Sequence, residues 1–156
     1  MGHLVNGLWQ QIDVRQGTEN DKGEFLRKPM SFRESIKDGQ LLEEVKERYH
    51  LYVSYACPWA HRTLIMRSLK KLNDLITVSV VSPIMEEEGW TFHHDYDDRP
   101  KDHLFGSSYL REVYLKAESN FTGRVTVPVL WDIGLTQKAK NIYEKDPIQL
   151  FKILMN

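Results

Sequence analysis

The sequence predicts a small α/β fold built around a strand–helix–strand unit, in which the two strands run parallel. Leu51 to Ala56 and Ile76 to Val81 are rich in aromatic and β-branched residues, and the residues between them carry apolar side chains at a helical period. The chain has 156 residues, of which 41% are hydrophobic and 28% charged. This length and composition suit one globular domain and leave little room for a second.

The first 48 residues are mostly polar, and we expect them to form an irregular N-terminal arm ahead of an α/β domain over residues 49–156. Gly17 to Gly23 has the composition of a turn. Ser31 and Glu34 have the spacing of a capping box and predict a short helix there. We expect this arm to lie over a core that the later residues build.

The first strand of the unit, Leu51 to Ala56, is predicted to stop at Cys57 because Pro58 follows it. A helix of about four turns is then predicted from Pro58, ending at Asn73 and Asp74. Its apolar stripe consists of Ala60, Leu64, Ile65, Leu69 and Leu72.

The second strand is Ile76 to Val81, and a further short helix is expected from Ser107 to Ala117. Arg124 to Asp132 predicts a third strand, interrupted by Pro128. Residues 138–156 have the composition of a helix that Pro147 would break.

The charges of the chain are balanced, with 21 basic and 22 acidic side chains. Such a chain has no overall field to attract nucleic acid or an anionic membrane, and we expect neither as a partner. The first residues lack the basic and apolar regions of a signal peptide, and the longest mostly apolar run, Leu75 to Met85, is too short to cross a bilayer. We therefore expect a cytoplasmic location.

Cys57 is the one cysteine of the chain, which weakens any reading as half of an internal disulfide or as part of a zinc site. It is predicted at the junction of a strand and a helix, where unpaired amide hydrogens and the helix dipole favour a thiolate. Pro58 strengthens that placement, because proline is preferred at the first position of a helix. Cys57 is thus either a nucleophile or a buried structural residue, since free cysteines are commonly buried.

Longer motifs around these residues resemble one family. YHLYVSYACPWAHRTLIMRSLKKL, VSVVSPIMEEEGWTF and YLREVYLKAESNFTGRVTVPVLWD, together with FLRKPMSFRESI in the arm, are similar to the xi-class glutathione transferases, the glutathionyl-hydroquinone reductases. The resemblance covers roughly residues 9–132. It implies a thioredoxin-like fold, that of the N-terminal domain of glutathione transferases.

The resemblance also implies a set of site residues. Cys57 would be the catalytic thiol, supported at the helix N-terminus by Pro58 and Trp59. The residues implied to bind glutathione are Trp90, Arg111, Arg124, Val127 and the cis-proline Pro128. By residue type alone, Trp90 also suits a packing role, because tryptophan is highly buried on average. Arg111 also suits a solvated helix face, because surface arginine is common.

The reaction implied is the reduction of glutathionyl-hydroquinones through a mixed disulfide between Cys57 and glutathione, which a second glutathione resolves. Glutathione is the co-substrate, glutathionylated quinone-type molecules are the partners, and no metal is expected. The alternatives are an omega-like thioltransferase that acts on mixed disulfides or small acceptors, and an inactive truncated form.

Residues 133–156 diverge from the family pattern, which continues with a Glu-Ser pair that binds the γ-glutamyl end of glutathione. We therefore expect a thioredoxin-like domain that is incomplete or altered after about residue 132, without the helical C-terminal domain through which full-length members dimerise. His93 to Asp98 offers imidazoles and carboxylates, but its spacing favours a polar loop over a metal site. No glycine-rich motif for nucleotide binding is present.

Overall fold

The computed structural model describes residues 2–11, 24, 32, 46–93 and 102–134. The predicted turn at residues 17–23, the predicted helix from Ser31 and the tail beyond residue 134 lie outside the described residues. Five strands and two helices follow one another in the described parts of the chain.

The chain opens with a β-hairpin, which adds regular structure to an arm expected to be irregular. Strand β1 (His3–Val5) pairs antiparallel with strand β2 (Leu8–Gln10). Asn6 and Gly7 form the connecting turn, with φ angles of 48° and 79°. Both angles lie in the left-handed region, as a tight two-residue hairpin turn requires.

A mixed three-stranded sheet forms the centre of the fold, in the order β4-β3-β5. Strand β3 (Tyr49–Val53) is buried at every position, and the predicted parallel pairing with strand β4 (Ile76–Val80) is confirmed. Strand β5 (Val129–Asp132) lies antiparallel on the other side of β3. A bidentate ion pair between Arg48 and Asp132, with nitrogen–oxygen distances of 2.8 to 3.2 Å, links the start of β3 to the end of β5.

Helix α1 (Pro58–Leu69) connects the two parallel strands and begins at the predicted residue. It is one turn shorter than expected, because Lys71 takes a positive φ of 58° and ends the helical path before Asn73. The guanidinium of Arg67 then bonds the Asn73 side chain and carbonyl, at 2.9 and 2.6 Å.

The predicted apolar stripe of α1 is only partly correct. Ala60 and Leu72 are buried, but Ile65 and Leu69 are 44% and 70% exposed. Thr63, which is not part of the predicted stripe, is buried. Its hydroxyl can be buried because it donates a hydrogen bond to the Ala60 carbonyl at 2.7 Å within the same helix.

Helix α2 (Leu110–Ala117) starts three residues later than expected, since Thr91 and Tyr109 pair as an isolated β-bridge just before it. Its inward face buries Leu110, Val113 and Tyr114. In the arm, the ring of Phe32 stacks on Phe121 with centroids 5.0 Å apart. None of the helices in the described residues has the length and apolar character that a bilayer crossing requires.

Candidate functional site

Cys57 lies between the end of β3 and the start of α1, as its N-cap residue. Ser54, which is fully buried, shapes this turn: its carbonyl accepts from the Cys57 amide at 3.1 Å and its hydroxyl from the Ala56 amide at 3.3 Å. The Cys57 side chain makes no capping hydrogen bond and is half-buried. The sulfur therefore lies at the positive end of the helix dipole without capping the helix.

The structure brings Cys57 to Val127, seventy positions further along the chain. The Cys57 thiol donates to the Val127 carbonyl with sulfur and oxygen 3.7 Å apart. The peptide bond between Val127 and Pro128 is cis, as the resemblance implies. The Cys57 thiol and the N-terminus of α1 thus lie beside the backbone of Val127, just before β5.

Tyr114 holds the segment that leads to Val127. Its hydroxyl donates to the Thr126 carbonyl at 3.0 Å and accepts from the Thr126 amide at 3.3 Å. This side chain therefore pins both backbone groups of the residue before Val127. Tyr114 is not among the residues predicted for the site, because no local pattern in the sequence indicates such a contact across twelve positions.

Trp90 and Arg124 lie on two loops that border the sheet. Trp90 is half-buried, packs against the hydrophobic core and accepts from the Leu110 amide through its carbonyl at 2.9 Å. Arg124 is half-exposed, and among the described residues its guanidinium has no ion-pair partner. An unpaired cation three residues before Val127 suits a carboxylate ligand.

The guanidinium of Arg111 is already engaged with other residues, unlike that of an arginine left open to bind a carboxylate of glutathione. Its guanidinium bonds the Glu88 carbonyl at 2.6 Å and forms an ion pair with the Glu88 carboxylate. It also lies over the rings of Tyr109 and Trp9, 4.0 and 5.3 Å from their centroids. Its binding to glutathione stays a prediction, and its present contacts are those of a structural cation.

Pro58 occupies the first helical position and Trp59 the next, so both lie at the helix N-terminus beside Cys57. Trp59 is 52% exposed, with the Arg62 guanidinium 5.5 Å from its ring centroid, and Tyr55 is 62% exposed. Two exposed aromatic side chains thus flank Cys57 in the sequence.

A mostly buried polar network lies on one face of the sheet and was not predicted from the sequence. The His50 ring, in β3, contacts the hydroxyls of Thr77 and Ser79 at 2.6 and 2.8 Å. Ser79 in turn contacts His103 Nδ1 at 2.9 Å. Burial lowers the pKa of His50 to about 4, although the nearby Asp102 carboxylate opposes the shift, and His103 adds to it.

Tyr52, two residues along β3, belongs to the same network. Its hydroxyl donates to the Asp102 carboxylate at 2.9 Å, and the Leu104 amide donates to the same oxygen at 2.9 Å. Burial, reinforced by Asp102, raises the pKa of Tyr52 above its usual range. These bonds tie the loop after residue 101 to the strand that leads into Cys57.

No cluster of three metal-binding side chains occurs within residues 2–11, 46–93 and 102–134. Of the segment from His93 to Asp98, only His93 is described, and it is exposed with its ring 6.4 Å from that of Tyr109. The rest of that segment lies outside the described residues, so its predicted polar loop stays a prediction.

Comparisons with known proteins agree with this arrangement. The profile of the glutathione S-transferase N-terminal domain matches residues 56–148. Glutathionyl-hydroquinone reductase YqjG of Escherichia coli K12 is 46% identical over 141 residues, which are 85% of this chain and 42% of YqjG. Glutathione S-transferase omega-like 2 of Schizosaccharomyces pombe is 52% identical over 111 residues, which are 70% of this chain and 35% of that protein.

Solved structures show the same likeness. A xi-class glutathione transferase from Natrialba magadii superposes with a TM-score of 0.69 at 42% identity, covering 87% of this chain and 40% of that one. The glutathione-bound structure of YqjG gives a TM-score of 0.61 at 42% identity, covering 86% of this chain and 40% of that one. The chain thus spans less than half the length of these relatives. It belongs to the glutathione transferase family, carries the family's thioredoxin-like N-terminal domain and is similar to xi-class members of the family.

Proposed function

We propose that this chain carries the thiol and much of the glutathione-binding surface of an oxidoreductase that reduces glutathionyl-hydroquinones. The observation that carries the proposal is the approach of the Cys57 sulfur to the Val127 carbonyl, beside a cis peptide bond and a helix N-terminus. The xi-class relatives, one of them named a glutathionyl-hydroquinone reductase, support the choice of substrate.

The first chemical step is attack by the Cys57 thiolate on the sulfur of a glutathionyl-hydroquinone. A sulfur–sulfur bond forms, the bond between sulfur and the ring carbon breaks, and the ring carbon takes up a proton. Glutathione is then joined to Cys57 as a mixed disulfide, and the free hydroquinone leaves. The thiolate is oxidised and the ring carbon is reduced.

The second step needs another thiol, and these 156 residues contain no cysteine besides Cys57. A second glutathione therefore attacks the mixed disulfide, which yields oxidised glutathione and regenerates the Cys57 thiolate. Val127, with Pro128 turning its backbone, pairs with the cysteinyl part of glutathione, while Trp90 lines the site and Arg124 holds a carboxylate. We place this chemistry in the cytoplasm, because it consumes reduced glutathione.

The proposal is tested by the intact mass of the purified chain after exposure to a glutathionyl-hydroquinone, with release of hydroquinone followed in the same sample. We expect one glutathione on the wild-type chain, an equal amount of hydroquinone, and neither from a Cys57→Ala variant. A folded wild-type chain that gains no glutathione, or a variant that gains as much, would overturn the proposal.

An omega-like thioltransferase is the second candidate, because the relative from Schizosaccharomyces pombe is named omega-like. The two candidates differ in the group that leaves glutathione's sulfur. We favour the aromatic leaving group, since Tyr55 and Trp59 are both exposed beside Cys57. Comparing turnover of a glutathionyl-hydroquinone with that of a glutathionylated peptide of similar size separates them.

A further inference from the structure

The N-terminal hairpin, residues 2–11, needs support from the rest of the molecule. A two-stranded hairpin is at best marginally stable in water by itself. Leu4 of β1 is fully buried in the main core, so the hairpin folds against the domain as part of it. Its contacts fall on two loops, and each loop carries a residue predicted to bind glutathione.

Strand β1 and the hairpin turn hold the loop at residues 119–124. Leu4 and Gly123 exchange both backbone hydrogen bonds, each 2.9 Å long. The Gly7 amide donates to the Phe121 carbonyl at 3.0 Å, and the Asn6 amide donates to the Thr122 hydroxyl at 2.8 Å. The Thr122 hydroxyl also donates to the Asn6 side-chain oxygen at 3.3 Å. These hydrogen bonds fix the loop immediately before Arg124.

Strand β2 holds the other loop, residues 86–90. The indole nitrogen of Trp9 donates to the Glu87 carbonyl at 3.0 Å, and the Gln11 side-chain amide donates to the Glu87 carboxylate at 3.3 Å. The Trp9 ring also lies flush against Gly89, where a Cβ atom would be 2.8 Å from its edge. This contact fixes the backbone directly before Trp90.

Arg111 completes this attachment from the side of helix α2. Its guanidinium lies over the Trp9 ring and bonds the carbonyl and carboxylate of Glu88, in the same loop. Trp9 and Arg111 thus hold residues 87–89 from two directions, so the loop is held both by the hairpin and by α2.

We infer that the hairpin is a clamp that sets the positions of Trp90 and Arg124 relative to Cys57, and that Trp9 is its principal positioning residue. The inference rests on the proposed function, because it concerns the same glutathione site. A site that orients a tripeptide loses affinity steeply when its groups move by a fraction of an ångström to an ångström. Loss of the clamp therefore weakens glutathione binding without altering the thiol itself.

The test measures two properties of Cys57 separately. The first is its rate of alkylation by iodoacetamide, which reports the thiol alone. The second is the concentration of S-methylglutathione that halves this rate, which reports binding of the tripeptide without thiol exchange. A purely structural defect changes folding or both properties, whereas a positioning defect changes the second alone.

We expect Trp9→Ala to raise the half-protecting concentration about tenfold or more while leaving the unprotected alkylation rate unchanged. Trp9→Phe keeps an aromatic side chain but removes the indole donor and the outer part of the indole ring that contacts Gly89, and it is expected to give a smaller increase, of about threefold to tenfold. Leu8→Ala is the matched control, because Leu8 is the neighbouring residue of β2 and is 69% exposed. It is expected to behave as wild type.

Protection of both folded Trp9 variants at the wild-type concentration would overturn the clamp and leave the proposed function intact. If Trp9→Ala does not fold, Trp9→Phe alone decides in the same way. A folded wild-type chain that S-methylglutathione does not protect at all would overturn both the clamp and the proposed function.

Discussion

Acidification is expected to destabilise this protein through His50, the buried imidazole of β3. The ring is 1% exposed and its nitrogens contact the hydroxyls of Thr77 and Ser79. Its pKa is lowered from 6.5 to about 4 by burial, which outweighs the opposing Asp102 carboxylate. The unfolded chain therefore binds a proton at His50 more readily than the native state does.

The sign and size of the effect follow from these two values. Between pH 6.5 and pH 4 the unfolded state gains a proton that the native state does not, so the free energy of unfolding falls as the pH falls. The loss is about 1.4 kcal/mol for each pH unit below 6.5, which gives about 2 kcal/mol at pH 5. Above pH 6.5 His50 is neutral in both states and adds no pH dependence.

The assay is urea unfolding followed by circular dichroism at pH 7.5 and pH 5.0, for the wild type and for His50→Gln. The variant cannot titrate at this position, so we expect its loss of stability between the two pH values to be about 2 kcal/mol smaller than that of the wild type. Its stability at pH 7.5 is lower by about 1 kcal/mol, because one of the two hydroxyl contacts is lost. Equal losses in both proteins would refute the assignment to His50.

Three further predictions concern the site and its supports. Gly89→Ala is expected to lower the free energy of unfolding in a urea titration by about 2 kcal/mol or more, because Gly89 has a φ of 80° and a Cβ would collide with Trp9. Gly106→Ala is the control: Gly106 has a φ of 67° but open space around it, so its substitution is expected to cost only about 1 kcal/mol. Tyr114→Phe is expected to cost about 1 to 3 kcal/mol of stability and to slow the formation of the Cys57 adduct, since Thr126 loses the partner of both its backbone groups; unchanged adduct kinetics by intact mass would contradict this. Arg124→Gln is expected to raise the half-protecting concentration of S-methylglutathione about tenfold with an unchanged thermal midpoint, and equal protection would remove Arg124 from the site.

Local signals in the sequence were sufficient to predict the strand–helix–strand unit. Pro58 can begin a helix, so the start of α1 was predictable to the residue. The strand before it was placed less well, because β3 spans Tyr49–Val53 and not the predicted Leu51 to Ala56. The parallel pairing of β3 with β4 followed from the strand–helix–strand order. The cis bond before Pro128 came from the family resemblance, because residue types alone favour trans.

The contacts that the sequence did not predict are non-local or lie at element ends. Ile65 and Leu69 fit the apolar period of α1, yet the side of the helix that is buried is the one that carries Ala60 and Thr63. Which side is covered depends on tertiary packing and not on the period. The hairpin is the exception, because Asn6-Gly7 between apolar residues is a strong local turn signal that the composition of the arm concealed.

The position of β3 has a consequence for the timing of local opening. The strand is hydrogen-bonded on both sides and buried throughout, so its amide protons should exchange with solvent only when the whole domain unfolds. The hairpin has only two strands and is joined to the rest by loop contacts, so we expect it to open at a lower free energy than β3. Cys57 follows the strand that opens last, whereas Trp90 and Arg124 depend on an element that opens early. Partial opening of this protein would therefore release the tripeptide first and leave the thiol in place.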